Sequence, residues 1–343
     1  MKLLVVVVNY QVTDLTIDCL RSLSREIDSV SGAHVAVCEN GTGPQDEKRL
    51  AEAIESNRWR GWASLVAIHP NRGFTGGNNV ILREALQSND PPQYVLLLNS
   101  DTIVLPGSLD ALVRFMDEHP RAGIAGSRLE TPEGNVHVSA FHDHTIINEF
   151  DRGLRLGVVS KLLRRWSLTP PPPDHACAVD WVAGASMIIR REVFDAVGLL
   201  DEGFYTYFDD IDFCMQARRA GWPTWYVPQS RVIHLVGCST KISDPQKQGV
   251  KRRPRYWYQA RTRFFVKNYG AIYAALADLA FLSGFAIWRV RRRLQRKPDP
   301  DPRHTMLDTI LNSVVFSGRR PRAVENPALR GVPLNRPMTG QGV

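Results

Sequence analysis

The sequence has few cysteines, and they form no pattern typical of a disulfide framework or a zinc site. Five cysteines occur in 343 residues, and no two of them form a Cys-x-x-Cys pair. Small disulfide-stabilised domains and structural zinc sites use such pairs and a higher density of cysteine. Cys19 and Cys38 lie within apolar patterns, so we expect both to be buried thiols in a reducing compartment.

Long uninterrupted apolar runs are also missing. The run from Leu3 to Val8 holds six residues, too few for the apolar region of a signal peptide, and we predict a buried strand there. A second run, residues 271–288, is broken by Asp278 and Ser283. A charged residue at the centre of a spanning helix costs about 2.5–3.5 kcal/mol. We therefore favour a helix that lies in the membrane interface, or one docked on the body of the protein, over a transmembrane helix.

Basic residues are concentrated in one segment, although the whole chain carries a net charge of only +8. Residues 251–297 contain thirteen Lys or Arg and one acid, Asp278, so the other 296 residues sum to −4. Such a block suits nucleic acid or an anionic membrane surface, and a solvated basic face is the alternative. The aromatic residues that would sit at a membrane interface are Tyr256, Trp257, Tyr258, Phe264, Phe265 and Trp288.

Strand and helix patterns alternate along the first part of the chain. This order predicts an α/β fold with a doubly wound, mostly parallel sheet. The predicted strands are Leu3–Val8, Ala33–Cys38, Ser64–Ile68 and Tyr94–Leu98, and the predicted helices are Asp14–Ser24, Asp46–Ile54, Gly76–Leu86 and Ser108–Glu118.

The pattern is less regular in the second part of the chain. Residues 141–168 are weakly patterned, and residues 169–174 read as a polyproline spacer. The last 46 residues, 298–343, are rich in Pro, Arg and Asn, and we expect a mostly disordered tail with one short helix near residues 306–315. The other predicted elements are a strand pair in 123–138, helices at 191–197 and 211–220, and short strands at 225–227 and 231–235.

One candidate for chemistry follows the fourth predicted strand, where Asn99, Ser100 and Asp101 come directly after an apolar run. In open α/β sheets the ligand crevice lies at the carboxyl ends of the strands. A carboxylate at that position is suited to a divalent cation that also binds a diphosphate. The alternative is that Asp101 caps a turn or helix.

Two further candidates combine unusual residues with loop or helix starts. Residues 71–79 hold three glycines and three asparagines, and they match neither Gly-x-Gly-x-x-Gly nor a Walker sequence. Such a loop can approach a ligand closely, or it can serve only as a turn and helix cap. Asp209, Asp210 and Asp212 begin a predicted helix, where one of them could act as a general base or simply cap the helix.

The last candidate is His234, a lone histidine in an apolar strand pattern. Taken by itself, such a histidine is more often a core residue than a metal ligand.

Taken together and in this order, these segments resemble the family 2 glycosyltransferases with the GT-A fold, in particular the bacterial rhamnosyltransferase-like members. The resemblance covers roughly residues 1–237. It rests on residues 7–10 (Val-Val-Asn-Tyr), 38–42 (Cys-Glu-Asn-Gly-Thr), 71–79, 98–102, 184–187 (Gly-Ala-Ser-Met), 200–204 and 209–212, ending at His234.

The resemblance implies a role for each matching residue. Asp101 would hold Mg²⁺ or Mn²⁺ in place of the family's DxD motif, His234 would be a further metal ligand, and Asp210 would be the catalytic base. Gly184, Asp209 and Asp212 would lie on the acceptor side. The nucleotide sugar would contact Asn9, Tyr10, Glu39, Asn40, Asn71, Gly73, Asn78, Asn99 and Ser100.

Two residues depart from the family pattern. Asn99 replaces the first acid of DxD and leaves fewer charged metal ligands. Glu39 stands where the family usually has the Asp that reads the base, and its side chain is one methylene longer.

The resemblance also implies a domain order and an activity. Residues 1–240 would form the GT-A catalytic domain, with a nucleotide-sugar half at about 1–105 and an acceptor half at about 106–240, followed by a basic helical extension at 241–297. The enzyme would be an inverting, metal-dependent hexosyltransferase that uses a nucleoside diphosphate sugar, with L-rhamnose from dTDP-rhamnose as the best guess. Its acceptor would be a glycan or a polyprenyl-linked hydroxyl at the cytoplasmic face of the plasma membrane, in cell-envelope polysaccharide synthesis, with an anionic membrane surface and no nucleic acid as partner.

Two other functions remain open from the residues alone. A sugar-nucleotide nucleotidyltransferase would also use a metal and carboxylates, but residues 9–13 lack the Gly-rich basic loop expected for a triphosphate. A non-catalytic nucleic-acid binder could use residues 251–263, where aromatic and basic residues alternate. That function would leave the acidic and Gly/Asn segments unexplained.

Overall fold

A computed structural model describes residues 1–235, 252–302 and 304–317 of the chain. The strands are β1 Leu3–Asn9, β2 Ala33–Asn40, β3 Ala63–Ile68, β4 Tyr94–Asn99, β5 Thr102–Val104, β6 Ile124–Glu130, β7 Val136–His137, β8 Ala140–Phe141, β9 Cys177–Val179, β10 Trp181–Val182, β11 Ser186–Arg190 and β12 Thr224–His234. The helices are α1 Thr13–Leu23, α2 Pro44–Ser56, α3 Gly73–Leu86, α4 Ser108–Glu118, α5 Ile146–Leu154, α6 Gly157–Leu162, α7 Arg191–Val197, α8 Asp209–Arg219, α9 Arg255–Leu294, α10 Thr305–Asn312 and α11 Val314–Ser317.

The four predicted N-terminal strands are confirmed as parallel neighbours in the order β3-β2-β1-β4. β1 lies between β2 and β4 and is buried from Leu3 to Val7, because helices cover both faces of the sheet. Three of these strands run beyond the predicted end, to Asn9, Asn40 and Asn99. The carboxyl ends of these strands therefore carry amide side chains into the edge where ligands bind in such sheets.

The rest of the large sheet is mixed. β11 is antiparallel to both β4 and β6, β12 is parallel to β6, and β5 closes the edge antiparallel to β12. Predicted separate strands at 225–227 and 231–235 are wrong, because β12 is one strand with a register shift between Val227 and Arg231. Pro228 in that stretch cannot donate a ladder hydrogen bond, so the sequence pattern looked interrupted.

The weakly patterned residues 141–168 contain two helices that the sequence did not predict, α5 and α6. α5 packs along α9 and joins it through a buried ion network. Arg261 Nη2 lies 2.8 Å from Glu149 Oε2, and Arg261 also pairs with Asp278. Desolvation opposes ionisation of Glu149, but Arg152 and Arg261 hold the pKa of its carboxyl well below the usual range. Asp278, the acid that interrupts the apolar run at residues 271–288, therefore forms a buried ion pair with Arg261.

Helix α9 contains a break at Gly270, whose φ of 85° and ψ of 166° are not helical. Among the described residues it is the one helix with the length and apolar composition to cross a membrane. The helices α10 and α11, which follow α9 in the chain, pack back against α9. Thr262 Oγ1 donates to the Asn312 carbonyl at 3.0 Å, and Asp278 accepts from the Val314 N–H at 3.0 Å. The predicted boundary between the catalytic domain and the extension, near residue 240, lies outside the described residues.

The aromatic side chains that we expected at a membrane interface lie mostly inside the protein. Phe264 and Phe265 are fully buried, and Tyr258 and Trp288 are less than 9% exposed. The same burial removes the stacking surface that a nucleic-acid binder would need. The expectation failed because an amphipathic helix docked on a protein and one docked on a membrane show the same residue pattern.

The two cysteines predicted to be buried are buried, and the four described cysteines form no disulfide. Desolvation raises the pKa of the Cys19 and Cys38 thiols to about 12. Neither thiol is therefore ionised near neutral pH.

Candidate active site

The edge at the carboxyl end of β4 brings together residues that are far apart in sequence. Asp101 follows β4, and β5 then pairs with the end of β12 so that Thr102 lies opposite His234. This pairing places His234 Nε2 3.3 Å from Asp101 Oδ1 and 3.3 Å from Asn99 Nδ2. Asp101 is 1% exposed and His234 is 15% exposed, so both belong to a recessed site.

The donor atoms at this edge fit a divalent cation shared with a substrate. Asp101 offers a carboxylate oxygen and His234 an imidazole nitrogen, and the side-chain amide of Asn99 lies beside them. In the described part of the chain, no cluster of three His, Cys, Asp or Glu side chains forms a complete metal cage. Mg²⁺ in enzymes is commonly held by one or two carboxylates together with substrate phosphates and water. The residues therefore fit a cation whose remaining ligands come from a bound diphosphate.

Asp210 lies in the first turn of α8, with its carboxylate fixed by two backbone donors. The Gly184 N–H donates to Oδ2 at 3.1 Å, and the Ile211 N–H donates to Oδ1 at 2.9 Å. Asp210 packs against Gly184, where an added Cβ would lie 3.4 Å from the Cβ of Asp210, an ordinary van der Waals contact. Desolvation raises the pKa of the Asp210 carboxyl above its usual range, although both backbone donors oppose the shift. Such a carboxylate is a stronger base than one in water.

Two backbone hydrogen bonds connect the edge at Asp101 and His234 with Asp210. The Asn99 N–H donates to the Ala185 carbonyl at 3.0 Å, and the N–H of the preceding residue, Gly184, donates to the Asp210 carboxylate. Because β4 and β11 are neighbouring strands, Asp101 and Asp210 lie at the same end of one strand pair. The structure thus brings the candidate metal ligands and the candidate base to one edge of the sheet.

The other two acids of the cluster differ from Asp210. Asp209 is buried, and desolvation and then the charge of Asp210 raise the pKa of its carboxyl well above the usual range. Asp212 is bound to α9, with Lys267 Nζ at 2.6 Å and Asn268 Nδ2 at 2.8 Å. Asp212 therefore holds α8 against α9 and is not brought to the edge that carries Asp210.

At the predicted nucleotide side, Asn9 and Glu39 are both bound to their own loops. Asn9 is fully buried and accepts a hydrogen bond from Thr16 Oγ1 at 2.8 Å. Glu39 accepts from the N–H groups of Gly41 and Thr42 at 3.2 and 2.6 Å. Each carboxylate oxygen of Glu39 retains capacity for a further donor, whereas Asn9 serves the β1–α1 connection. Tyr10 is partly exposed, and its hydroxyl accepts from Gln11 Nε2 at 3.0 Å.

The segment at residues 71–79, which we call the Gly/Asn loop, makes hydrogen bonds and close contacts with other parts of the protein. Asn71 Oδ1 accepts from the Gly73 N–H at 2.6 Å, and Asn40 Nδ2 donates to the Gly73 carbonyl at 2.9 Å. Gly73 has a φ of +75°, and an added Cβ would lie 2.3 Å from the Tyr205 carbonyl oxygen. Asn78 Nδ2 donates to Phe74 in its own helix at 2.9 Å. The alternative interpretation, a turn that begins a helix, accounts for these contacts.

The sequence did not predict an aromatic contact beside the candidate base. Tyr256 stacks on Tyr207 with ring centroids 6.1 Å apart, and Trp257 meets Phe208 edge to face at 5.6 Å. Phe208 immediately precedes Asp209 in the chain. The alternation of aromatic and basic residues at 253–258 was the available signal, and it marks contact with the active-site loop.

The chain is similar in sequence to known rhamnosyltransferases. A relative from Mycobacterium tuberculosis, N-acetylglucosaminyl-diphospho-decaprenol L-rhamnosyltransferase, is 31% identical over 43% of this chain and 48% of its own length. The dTDP-rhamnosyl transferase RfbF of Shigella flexneri is 21% identical over 72% of this chain and 76% of its own. The match to the first relative thus spans about half of that protein.

Among solved structures, the mannosyltransferase PcManGT from Pyrobaculum calidifontis, in complex with GDP-Man and Mn²⁺, shares the fold. It has a TM-score of 0.53 and 15% identity over 90% of this chain and 79% of its own. The sequence model described as "Glycosyltransferase like family 2" matches residues 2–260. With its GT-A fold, this match over most of its length and relatives that are rhamnosyltransferases, the chain belongs to glycosyltransferase family 2.

Proposed function

We propose that this glycosyltransferase moves a hexosyl group, L-rhamnose from dTDP-rhamnose, to a hydroxyl of a glycan or polyprenyl-linked acceptor in cell-envelope polysaccharide synthesis. The observation that carries the proposal is the common edge at which the Asp101–His234 pair and Asp210 meet, through Asn99, Ala185 and Gly184. The choice of sugar is supported by two relatives whose names specify rhamnosyl transfer.

Asp210 is the general base in this proposal. The acceptor hydroxyl attacks the anomeric carbon from the side opposite the diphosphate, and its proton passes to the carboxylate of Asp210. The bond from the anomeric carbon to the diphosphate oxygen breaks, and the nucleoside diphosphate departs with the electron pair. Because the attack is in line and no covalent enzyme intermediate forms, the anomeric configuration inverts. The N–H groups of Gly184 and Ile211 keep the carboxylate in one orientation for this transfer.

Asp101 and His234 would hold Mg²⁺ or Mn²⁺ beside the diphosphate, and Asn99 and Ser100 would lie next to it. When bound, the cation supplies positive charge that offsets the negative charge of the leaving diphosphate. Asn99 in place of an acid keeps the empty site less negative, so the affinity for metal should depend more on the bound donor. We place the nucleotide at the carboxyl ends of β1, β2 and β3, beside Tyr10, Glu39 and Asn71.

We place the enzyme at the inner face of the plasma membrane, with an anionic surface as partner. Along the second half of α9, apolar side chains at spacings of three, four or eight residues are exposed, and four arginines follow at the same end of the helix. Anionic lipids attract each nearby Lys or Arg by about 1 kcal/mol. The exposed apolar residues are Ile272, Leu276, Leu279, Ile287, Val290 and Leu294.

A thermal-shift panel of nucleoside diphosphate sugars, with and without Mn²⁺, tests the proposed donor and metal. A donor raises the melting temperature by an amount set by its concentration relative to its Kd. We expect dTDP-rhamnose with Mn²⁺ to give the largest shift and Asp101→Asn to remove most of the gain from Mn²⁺. Asp110→Asn, an exposed acid on α4, is the control. A larger shift with another sugar would replace rhamnose, and an unchanged Mn²⁺ effect in Asp101→Asn would overturn the metal assignment.

A further inference from the structure

A cavity of about 570 Å³ opens where α9 begins, and the mechanism above does not use it. Its lining is strongly basic on one side and apolar at the other. The lining includes Arg252, Arg253, Arg255, Tyr258, Asp308 and Leu311. We call this cavity the arginine groove.

The charges of the arginine groove suit a ligand with more than one negative charge. Arg252 is neutralised in place by Asp308, with Nε 2.8 Å from Oδ2. Arg253 lies over the ring of Trp257, with its guanidinium carbon 4.1 Å from the ring centroid. Within residues 1–235, 252–302 and 304–317, neither Arg253 nor Arg255 forms an ion pair with an acid. Two exposed guanidinium groups separated by one residue are a natural site for phosphate oxygens, which arginine binds through paired hydrogen bonds.

The other side of the groove offers an apolar surface. Leu311 belongs to the lining and is 59% exposed, and Leu307 lies one turn before it on α10 and is 49% exposed. Val315 and Phe316 continue this exposed face on α11. Apolar side chains exposed in a row next to a charged groove mark an interaction surface, since water contact with them is unfavourable. An anion that carries a hydrocarbon chain would cover both features at once.

The arginine groove also lies next to the loop that carries the base. Arg253 and Arg255 flank Pro254, and the next two residues, Tyr256 and Trp257, contact the rings of Tyr207 and Phe208. Phe208 is two residues before Asp210. A ligand in the groove is therefore one aromatic layer away from the segment that would deprotonate an acceptor.

We infer that the arginine groove binds the diphosphate of a prenyl-diphosphate-linked acceptor, with Arg253 and Arg255 on the phosphates and the prenyl chain over Leu307 and Leu311. The inference rests on the proposed glycosyl transfer, because it assigns the groove to the acceptor of that reaction. It adds a second anion site that differs from the donor's diphosphate site at Asp101 and His234. The acceptor would then be held at its lipid end, while its sugar hydroxyl reaches Asp210.

Direct binding of geranyl diphosphate to the full-length protein tests the arginine groove. Titration calorimetry is done in EDTA, so that no metal is available to hold a diphosphate at Asp101 and His234. Geraniol and inorganic diphosphate are the comparison ligands. Arg255→Gln and the double variant Arg253→Gln/Arg255→Gln remove the proposed contacts. Arg289→Gln/Arg293→Gln removes the same charge from the other end of α9 and is the control.

We expect geranyl diphosphate to bind wild-type protein about tenfold more tightly than either comparison ligand, since each of these lacks one half of the proposed contact. The double variant should lose about tenfold or more, Arg255→Gln should lose less, and the control should match wild type. Equal binding by the double variant, or an equal loss in the control, overturns the site. Equal affinity for inorganic diphosphate overturns the assignment to a lipid-linked ligand.

The wild-type thermal-shift panel separates this inference from the proposed function. If geranyl diphosphate binds as expected and no nucleoside diphosphate sugar stabilises the protein, the groove remains a site for a lipid diphosphate, but the transferase proposal fails and with it the assignment of that ligand as an acceptor. If a sugar nucleotide binds and geranyl diphosphate does not, the groove assignment fails alone.

Discussion

The backbone N–H of Gly184 donates to Oδ2 of Asp210 at 3.1 Å, and this contact ties the start of α8 to the strand that runs beside β4. Ala185 follows Gly184 in the chain, and its carbonyl accepts a hydrogen bond from the N–H of Asn99 at the end of β4. The proposed base and the proposed metal-binding edge are therefore positioned by the same few backbone groups. A site built on strand ends in this way holds its geometry before any ligand arrives.

The pKa of Asp210 predicts how the rate of transfer depends on pH. The carboxyl must be ionised to accept a proton, and desolvation raises its pKa above the ordinary value of 3.8. We expect kcat/KM to fall as the pH is lowered through this raised pKa and to level off above it. A pH profile of the wild-type enzyme measures this, with circular dichroism at each pH to exclude unfolding. An acid limb at or below the ordinary value would contradict the assignment.

Gly73 should be required for folding. Its positive φ and the 2.3 Å distance from an added Cβ to the Tyr205 carbonyl predict that Gly73→Ala lowers the free energy of unfolding by about 2 kcal/mol or more. Gly157→Ala is the control, because an added Cβ there meets nothing within 4 Å. Urea denaturation without ligand measures both variants. Equal stability of the two would show that the backbone yields at this position and would contradict the prediction.

The arginine between α5 and α9 should be essential for stability. Arg261 is 6% exposed and pairs with Glu149 and Asp278, so Arg261→Met leaves Asp278 buried without its arginine, whereas Glu149 keeps Arg152 and His144. We expect a loss of about 3–5 kcal/mol at neutral pH. Arg289→Met, on the same helix with a partly exposed pair to Asp299, should cost about 0–1 kcal/mol. Similar losses in both variants would mean that the ion network contributes no more than a surface pair.

Local pattern was enough to predict the parallel half of the sheet, because its strands are short apolar runs followed at once by polar residues. The contact of Asp101 with His234 depends on the pairing of β5 with β12, which no local pattern encodes; the family resemblance suggested it instead. Asp278 looked like a defect in an apolar run because its partner, Arg261, is 17 residues away and the third member, Glu149, is on another helix. Charged groups that meet only in the folded chain are the part that sequence patterns do not predict.

The Gly/Asn loop is a second example of what local composition does not predict. Its composition suggested a ligand cradle, and in the structure its amides also bond to backbone groups of the protein, as in the bond from the Gly73 N–H to Asn71 Oδ1. Glycine and asparagine serve both purposes equally well. The packing role of Gly73 depends on Tyr205, which approaches it from a segment over 130 residues later and which no local pattern predicts.

The most direct test of the account is the rate of sugar transfer by Asp210→Asn, measured together with the binding of the donor. The amide keeps the shape of the side chain and cannot accept the proton, so we expect transfer to fall by about 10²–10⁴-fold. The Kd for the nucleoside diphosphate sugar in the presence of Mn²⁺ should stay within about twofold of wild type, because the donor is held at the other side of the edge. Turnover close to that of wild type in this variant would contradict the assignment of Asp210 as the base and, with it, the proposed mechanism.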